Sequence, residues 1–201
     1  MKKLIFILLV VTGAIFAQHD TSIVYLGDID STILTDVKYA TSDNFTGKVL
    51  YPTAKVYTRK IVGEALASVN EYLKSNYGYT LKVFDAFRPL SVQKQMWEIF
   101  PDPNYVADPK TGSRHNRGAA VDLTIVDENG NELDMGTPYD DFTEKAHFAY
   151  PDLTDEQRKN RDILNEAMSK YGFTVLKSEW WHFDYKDWKN YSIIDFKLTE
   201  D

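Results

Sequence analysis

The sequence contains no cysteine, and its 201 residues include only four histidines. The absence of cysteine excludes disulfides, thiolate metal sites and a cysteine nucleophile. Any metal site must therefore use carboxylates together with the available histidines, which are His19, His115, His147 and His182. Basic residues are also in the minority, and the formal net charge is -7. Because an acidic surface repels phosphate backbones, nucleic acid is not an expected partner.

Long hydrophobic runs are absent except at the amino terminus. Lys2 and Lys3 precede an apolar run over residues 4–16, and Ala17 then leads into a polar stretch. A basic start followed by a short apolar run predicts a secretory signal peptide over residues 1–17. The run is short for a membrane span, which needs about 20 residues, and an uncleaved anchor is the alternative. We therefore expect a periplasmic or secreted protein that has no membrane attachment after cleavage.

The rest of the chain, residues 18–201, has no repeat or linker and is predicted to form one domain. Apolar spacing and capping signals predict helices over residues 54–76, 91–100 and 154–171. Short β-like runs predict extended segments over residues 33–40, 80–86, 118–126, 173–176 and 181–185. This order indicates an α+β fold, in which helices flank a small, mostly antiparallel sheet that carries the functional site.

Two separate segments carry residues suited to metal chemistry. The first holds His115 and Asp122, and the second holds Glu179 and His182. A catalytic zinc ion takes three protein ligands and keeps one position open for water, and a nearby acid can act as its base. The alternatives are ordinary core or surface histidines, an Asp122 paired with Arg88 or Arg117, and a solvated Glu179. Spacing alone leaves these alternatives open.

A wider set of motifs resembles the D-alanyl-D-alanine dipeptidases, a family that includes the enzyme of vancomycin resistance and lies within a larger group of zinc peptidases acting on peptidoglycan peptides. The resemblance covers residues 36–198. Its motifs are Ser113-x-His115-x-x-Gly118-x-Ala120-x-Asp122, Glu179-x-Trp181-His182, Lys38-Tyr39-Ala40-Thr41, Asp43-Asn44-Phe45-Thr46-Gly47, Asp85-Ala86-Phe87-Arg88-Pro89, Asp134-Met135-Gly136, Glu144-Lys145-Ala146-His147 and Asp195-Phe196.

The resemblance implies one zinc ion per chain, bound by His115, Asp122 and His182. It also implies that Glu179 is the general base and that Arg88 stabilises the oxyanion of the transition state. The implied reaction is the hydrolysis of D-alanyl-D-alanine, a small D,D-dipeptide.

Three further residues are implied to contact the substrate. Tyr39 and Asp140 match positions associated with the substrate amino group, although Asp141 is an equal candidate beside Asp140. Ser113 could bind the substrate carboxylate. The alternatives are a structural salt bridge for Arg88, a buried aromatic for Tyr39, a turn residue for Asp140 and a turn cap for Ser113.

The sequence departs from the resistance enzyme at Arg114, where that enzyme has a small hydroxyl residue. Arg114 could bind a substrate carboxylate or narrow the cleft. His147 is expected to have a structural or supporting role. Two other functions remain open: a D,D-carboxypeptidase or endopeptidase on peptidoglycan stems, and a non-catalytic zinc-binding module. The predicted export favours cell-wall turnover or dipeptide scavenging over drug resistance.

Overall fold

A computed structural model describes residues 22–199. The predicted signal peptide and His19 lie outside this range. None of the helices within it combines the length and the apolar character that crossing a bilayer requires. Residues 22–199 form three α-helices and seven strands in the order β1 (Ile23–Tyr25), β2 (Leu34–Thr35), β3 (Tyr57–Arg59), α1 (Lys60–Tyr77), β4 (Thr80–Asp85), α2 (Leu90–Ile99), β5 (Ala120–Val126), α3 (Asp155–Lys170), β6 (Phe173–Leu176) and β7 (Glu179–Tyr185).

The main sheet has five strands in the order β2-β4-β5-β7-β6. Only β2 pairs in parallel, with β4, and every other pairing in this sheet is antiparallel. Strands β1 and β3 form a separate antiparallel pair. Helix α1 packs against β4, α3 packs against β6, and the two helices contact each other. The α+β prediction, with a mostly antiparallel sheet flanked by helices, is therefore confirmed.

The helices form where their local signals predict them, with one correction. In α1 the residues Val62, Leu66, Val69 and Leu73 recur at three- and four-residue spacing and are fully buried. Gly78 ends this helix in a left-handed conformation with φ of 72°. The predicted start at residue 54 is wrong, because residues 57–59 form β3 and pair with β1.

The capping box at α3 is confirmed. The Thr154 hydroxyl accepts from the Gln157 backbone, and the Gln157 side chain accepts from the Thr154 backbone. The extended segment predicted over residues 33–40 is mostly wrong. Only Leu34–Thr35 forms a strand there, and Lys38–Ala40 is a 3₁₀ turn.

The central strand β5 positions the functional residues. All seven of its residues are buried. Val121, Leu123 and Ile125 belong to the hydrophobic core, and Asp122 alternates with them and so points to the opposite face. Asp122 pairs directly with His182 of the neighbouring strand β7. This register brings two polar residues from distant parts of the chain to one face of the sheet.

Candidate active site

Two strands and one turn bring the three expected metal ligands together. His115 lies in the 3₁₀ turn His115–Arg117, Asp122 lies on β5, and His182 lies on β7. One potential ligand atom from each residue lies within 4.8 Å of the others, and all three residues are buried. His182 Nδ1 lies 3.0 Å from Asp122 Oδ1 and 3.2 Å from His115 Nε2. The three side chains therefore share one pocket.

The turn that carries His115 is held by the buried side chain of Asn116. Its amide nitrogen donates to the carbonyl oxygen of Arg88 at 2.8 Å, and its amide oxygen accepts from the backbone of Ser113 at 2.6 Å. Gly118 follows this turn and has a left-handed backbone with φ of 63°, a conformation that favours glycine. The turn thereby joins the first expected ligand to the segment that follows β4.

In each of the two imidazoles, one ring nitrogen has a hydrogen-bond partner outside the group of three ligands, and the other nitrogen faces the pocket. His115 Nδ1 lies 2.7 Å from the carbonyl oxygen of Ala86, which can only accept. His182 Nε2 lies 3.1 Å from a carboxylate oxygen of Asp184. When each ring donates outward, His115 Nε2 and His182 Nδ1 carry lone pairs for a metal ion. Histidine ligands in metal sites are commonly oriented in this way.

Charge in this pocket also fits a bound cation. Burial alone would raise the pKa of Asp122, but the neighbouring His115 and His182 lower it far below its usual value. Burial would lower the pKa of His182, whereas its bonds to Asp122 and Asp184 raise it to about 10. Without a metal ion, a proton on His182 would therefore balance the carboxylates. A divalent cation could replace that proton, since metal binding releases protons from such ligands.

Glu179 lies at the rim of this group. It is the first residue of β7, and its Oε2 lies 3.8 Å from His182 Nδ1. The pairing of β6 and β7 shifts register between Val175 and Leu176, and Leu176 pairs with Glu179 at this irregularity. Burial raises the pKa of Glu179, and the charge of Asp122 adds to the rise. A carboxylate with a raised pKa, beside a metal site, is suited to taking a proton.

Arg88 lines the same cleft, which has a volume of about 440 Å³. Its guanidinium donates to Asp85 through Nε at 3.1 Å and Nη2 at 2.6 Å, and Nη1 donates to Gln93 at 3.0 Å. The salt bridge considered as the alternative role for Arg88 therefore exists. It fixes the guanidinium without using all five of its N–H groups, so a fixed cation faces the cleft.

Tyr39 and Asp140 meet in the cleft although 101 positions separate them along the chain. The hydroxyl of Tyr39 donates to Asp140 Oδ2 at 3.0 Å. Asp141 instead accepts from the backbone of Thr143 at 2.8 Å, in an exposed turn. Burial raises the pKa of Asp140 well above its usual value, and Asp122 raises it further. A negative charge on Asp140 would therefore be stabilised by a cationic ligand group.

Ser113 and Arg114 also line the cleft. The Ser113 hydroxyl accepts from the backbone of His115 at 3.2 Å, which is the turn contact considered as its alternative role. Arg114 donates to Asp184 at 2.5 Å, and its guanidinium lies 4.9 Å from the ring centre of Trp188. Arg114 therefore supports the carboxylate that orients His182, a contact not expected from the sequence.

Sequence reasoning missed two residues that contact the expected ligands. Asp184 lies two positions after His182 on β7, and strand alternation could have placed both on one face. Tyr139 lies in a loop, where no periodic pattern identified it, and its hydroxyl contacts Asp122 at 3.0 Å. His147 is exposed and is not part of the metal-binding group, but its carbonyl oxygen accepts from Arg161 at 2.6 Å.

Comparison with known proteins decides the family. The model of the peptidase M15 family, described as D-ala-D-ala dipeptidase, matches residues 19–197. The chain belongs to this family. It is 38% identical to a D-alanyl-D-alanine dipeptidase of Escherichia coli strain K12, over 87% of this chain and 90% of that protein. It is 30% identical to a D-alanyl-D-alanine dipeptidase of Enterococcus faecium, over 81% of this chain and 91% of that protein.

Among solved structures, the chain is similar to a vancomycin resistance D,D-pentapeptidase, VanY, in complex with Zn(II). That similarity has a TM-score of 0.43 and 14% identity, and it covers 69% of this chain and 78% of the other.

Membership of the dipeptidase family makes this chain a metallopeptidase. His115, Asp122 and His182 form a group that can hold the metal ion.

Proposed function

We propose that this enzyme hydrolyses D-alanyl-D-alanine to two molecules of D-alanine, with one zinc ion held by His115, Asp122 and His182. The main support is that ligand atoms of these three side chains lie within 4.8 Å of one another. The carboxylate of Glu179 lies beside them, with its Oε2 3.8 Å from His182 Nδ1. Two imidazoles and one carboxylate are a common ligand set for catalytic zinc. The names of the E. coli and Enterococcus relatives support the choice of substrate.

His115, Asp122 and His182 would hold the zinc ion, which when bound would supply Lewis acidity toward the peptide carbonyl and the attacking water. Glu179 takes the proton from the attacking water and returns it to the leaving amine. The Arg88 guanidinium, held by Asp85 and Gln93, stabilises the negative charge that develops on the carbonyl oxygen. No covalent bond to the enzyme forms.

The two charged ends of the substrate are assigned to two different residues that line the cleft. We assign the ammonium group to Asp140, whose carboxylate also accepts from the Tyr39 hydroxyl at 3.0 Å. A cation there would offset the cost of ionising a buried carboxylate. We assign the substrate carboxylate to Ser113. This placement suits a zwitterionic dipeptide in which one peptide bond separates the two charges.

An aromatic cluster beside Asp140 supports a dipeptide over a longer stem peptide. It consists of Phe45, Phe100, Tyr105 and Phe142, which come from three loops. The rings of Tyr105 and Phe142 stack at 4.6 Å, and those of Phe45 and Phe142 lie 5.4 Å apart. Three of these four residues line the cleft. A peptide extended at its amino end would place no ammonium group beside Asp140, and its added residues would have to fit against these rings.

The first test measures the release of alanine, of either configuration, by zinc-loaded enzyme from D-alanyl-D-alanine, L-alanyl-L-alanine and a pentapeptide stem. We expect release from the D,D-dipeptide alone, and its loss with a chelator. Faster release from the stem would replace the proposal with a D,D-carboxypeptidase. Stoichiometric zinc without turnover of any substrate would favour a non-catalytic zinc-binding module.

The base is tested with Glu179→Ala, and Glu128→Ala serves as a control that removes a carboxylate from an exposed hairpin turn. We expect Glu179→Ala to keep one zinc ion per chain and to lose turnover by about 10²–10⁴-fold, the usual contribution of general base catalysis. The control should behave as wild type. Full activity in Glu179→Ala would reject the assignment of the base.

We also propose that the enzyme is exported and acts on dipeptide released from the cell wall. The support is the basic and apolar sequence of residues 1–17. Fractionation of cells that express the full chain, compared with a chain lacking residues 2–17, tests this location. Recovery of the full chain only from the cytoplasm would contradict it.

A further inference from the structure

The side chain of Tyr139 contacts the expected metal ligand Asp122 from the side away from the imidazoles. Its hydroxyl donates to Asp122 Oδ2 at 3.0 Å. The other oxygen, Oδ1, lies 3.0 Å from His182 Nδ1 and 3.4 Å from His115 Nε2. The two oxygens of one carboxylate therefore have different partners, and only Oδ1 faces the imidazoles.

The proton of the Tyr139 hydroxyl can be assigned from its surroundings. Its second neighbour is the Tyr39 hydroxyl, at 3.4 Å, and Tyr39 has a closer acceptor of its own in Asp140. A phenol has one proton to donate, and an ionised carboxylate is the stronger acceptor. Tyr139 therefore donates to Asp122, while Tyr39 donates to Asp140.

The Tyr139 ring is held by aromatic neighbours, which limits how far its hydroxyl can move. The ring centre lies 4.9 Å from that of Phe84 and 5.5 Å from that of Trp181. These contacts involve only the ring, so a phenylalanine at this position would keep them. The hydroxyl can thus be removed with little change in packing.

We propose that Tyr139 is a positioning residue of the metal site. Its hydroxyl occupies Asp122 Oδ2, so Asp122 binds zinc through Oδ1 alone, and a coordination position stays open for water and substrate. A carboxylate can bind a metal ion through one or both oxygens, and a donor on one oxygen opposes the second mode. This inference rests on the proposed zinc site and adds a residue to it.

The test compares Tyr139→Phe with the control Tyr72→Phe. The control also removes a hydroxyl that donates to a carboxylate, that of Glu166, on the surface. Zinc affinity is measured by competition with a chelator, and coordination is followed by the visible absorption of the cobalt-substituted protein. Kinetic constants for the dipeptide are measured in parallel, and thermal unfolding of the metal-free proteins checks the fold.

For Tyr139→Phe we expect zinc to bind about 10–100-fold more weakly, which is the usual effect of removing a residue that hydrogen-bonds to a metal ligand. The cobalt absorption should weaken as Asp122 adds its second oxygen, and kcat should fall more than KM rises. Tyr72→Phe should match wild type. If Tyr139→Phe fails to fold, Tyr139→Met provides a second hydroxyl-free side chain.

Unchanged zinc affinity together with an unchanged cobalt spectrum would overturn the inference, even if turnover fell. The metal measurements do not depend on activity. A wild-type protein that binds zinc but does not cleave the dipeptide would refute the proposed function and leave this test intact. A wild-type protein that binds no zinc would refute both.

Discussion

The loop that carries Tyr139 and Asp140 should depend on a single buried cation, Arg161 of α3. The guanidinium of Arg161 donates to four backbone carbonyl oxygens at the ends of this loop, and three of these bonds are 3.0 Å or shorter. The acceptors of these three bonds belong to Met135 at 2.7 Å, His147 at 2.6 Å and Lys145 at 3.0 Å. Arg161 is only 1% exposed, and burial lowers its pKa to about 10.

The effect of Arg161→Met can be estimated from these three bonds. A hydrogen bond from a charged donor contributes about 1.5–3 kcal/mol, so the three together contribute about 5–9 kcal/mol. Removal of the charge recovers a desolvation cost of several kcal/mol. We therefore expect a net loss of about 2–4 kcal/mol in the free energy of unfolding, which a domain of ordinary stability can tolerate. The KM for the dipeptide should also rise, because Asp140 lies on the loosened loop.

Arg158→Met is the matched control one helical turn earlier. Arg158 is exposed, although it also donates to a backbone carbonyl, that of Pro151 at 3.0 Å. Its removal should cost about 0.5 kcal/mol or less, as for most surface substitutions. Urea unfolding of the metal-free proteins measures both variants. Equal losses of unfolding free energy in the two variants would refute the claim that Arg161 holds the loop that carries Tyr139 and Asp140.

Three further predictions concern the site itself. His115→Ala should lose bound zinc and activity together, and elemental analysis that finds zinc at the wild-type level would exclude His115 as a ligand. Asp184→Asn should weaken zinc binding about tenfold, because it removes the charge that orients His182, whereas the exposed Asp187→Asn should not. Burial raises the pKa of the Asp140 carboxyl above its unfolded value of 3.8, so the folded protein holds the carboxyl proton more tightly than the unfolded chain does. The free energy of unfolding should therefore fall as the pH rises from 3.8 through the folded pKa. Asp140→Asn should therefore melt at a higher temperature than metal-free wild type at neutral pH, with KM raised about 10–100-fold; equal melting temperatures at every pH would contradict this.

Local signals in the sequence were sufficient for the long elements. The spacing of Val62, Leu66, Val69 and Leu73 identified α1, and the Thr154 capping box marked the start of α3. The apolar run around Asp122 identified β5. Short strands were not predictable in this way. Residues 57–59 form β3 only because β1 pairs with them, and that contact is not encoded within the segment itself.

The site residues also divide into those that local sequence predicts and those that only tertiary structure determines. The motifs indicated His115, Asp122, Glu179 and His182 as a group, and the register of β5 with β7 explains how two of them meet. The choice between Asp140 and Asp141 could not be made from two adjacent, identical residues. In the structure Asp140 contacts Tyr39 and has a left-handed backbone with φ of 58°, and its role in binding the substrate stays a prediction. Both features depend on tertiary structure.

The most direct test of the central claim is an anomalous difference map at the zinc absorption edge, from crystals of the zinc-loaded protein. We predict one peak per chain, bonded to His115 Nε2, Asp122 Oδ1 and His182 Nδ1, with Glu179 close by but not bonded to the metal. No peak in this pocket, or a peak bonded to other side chains, would contradict the account.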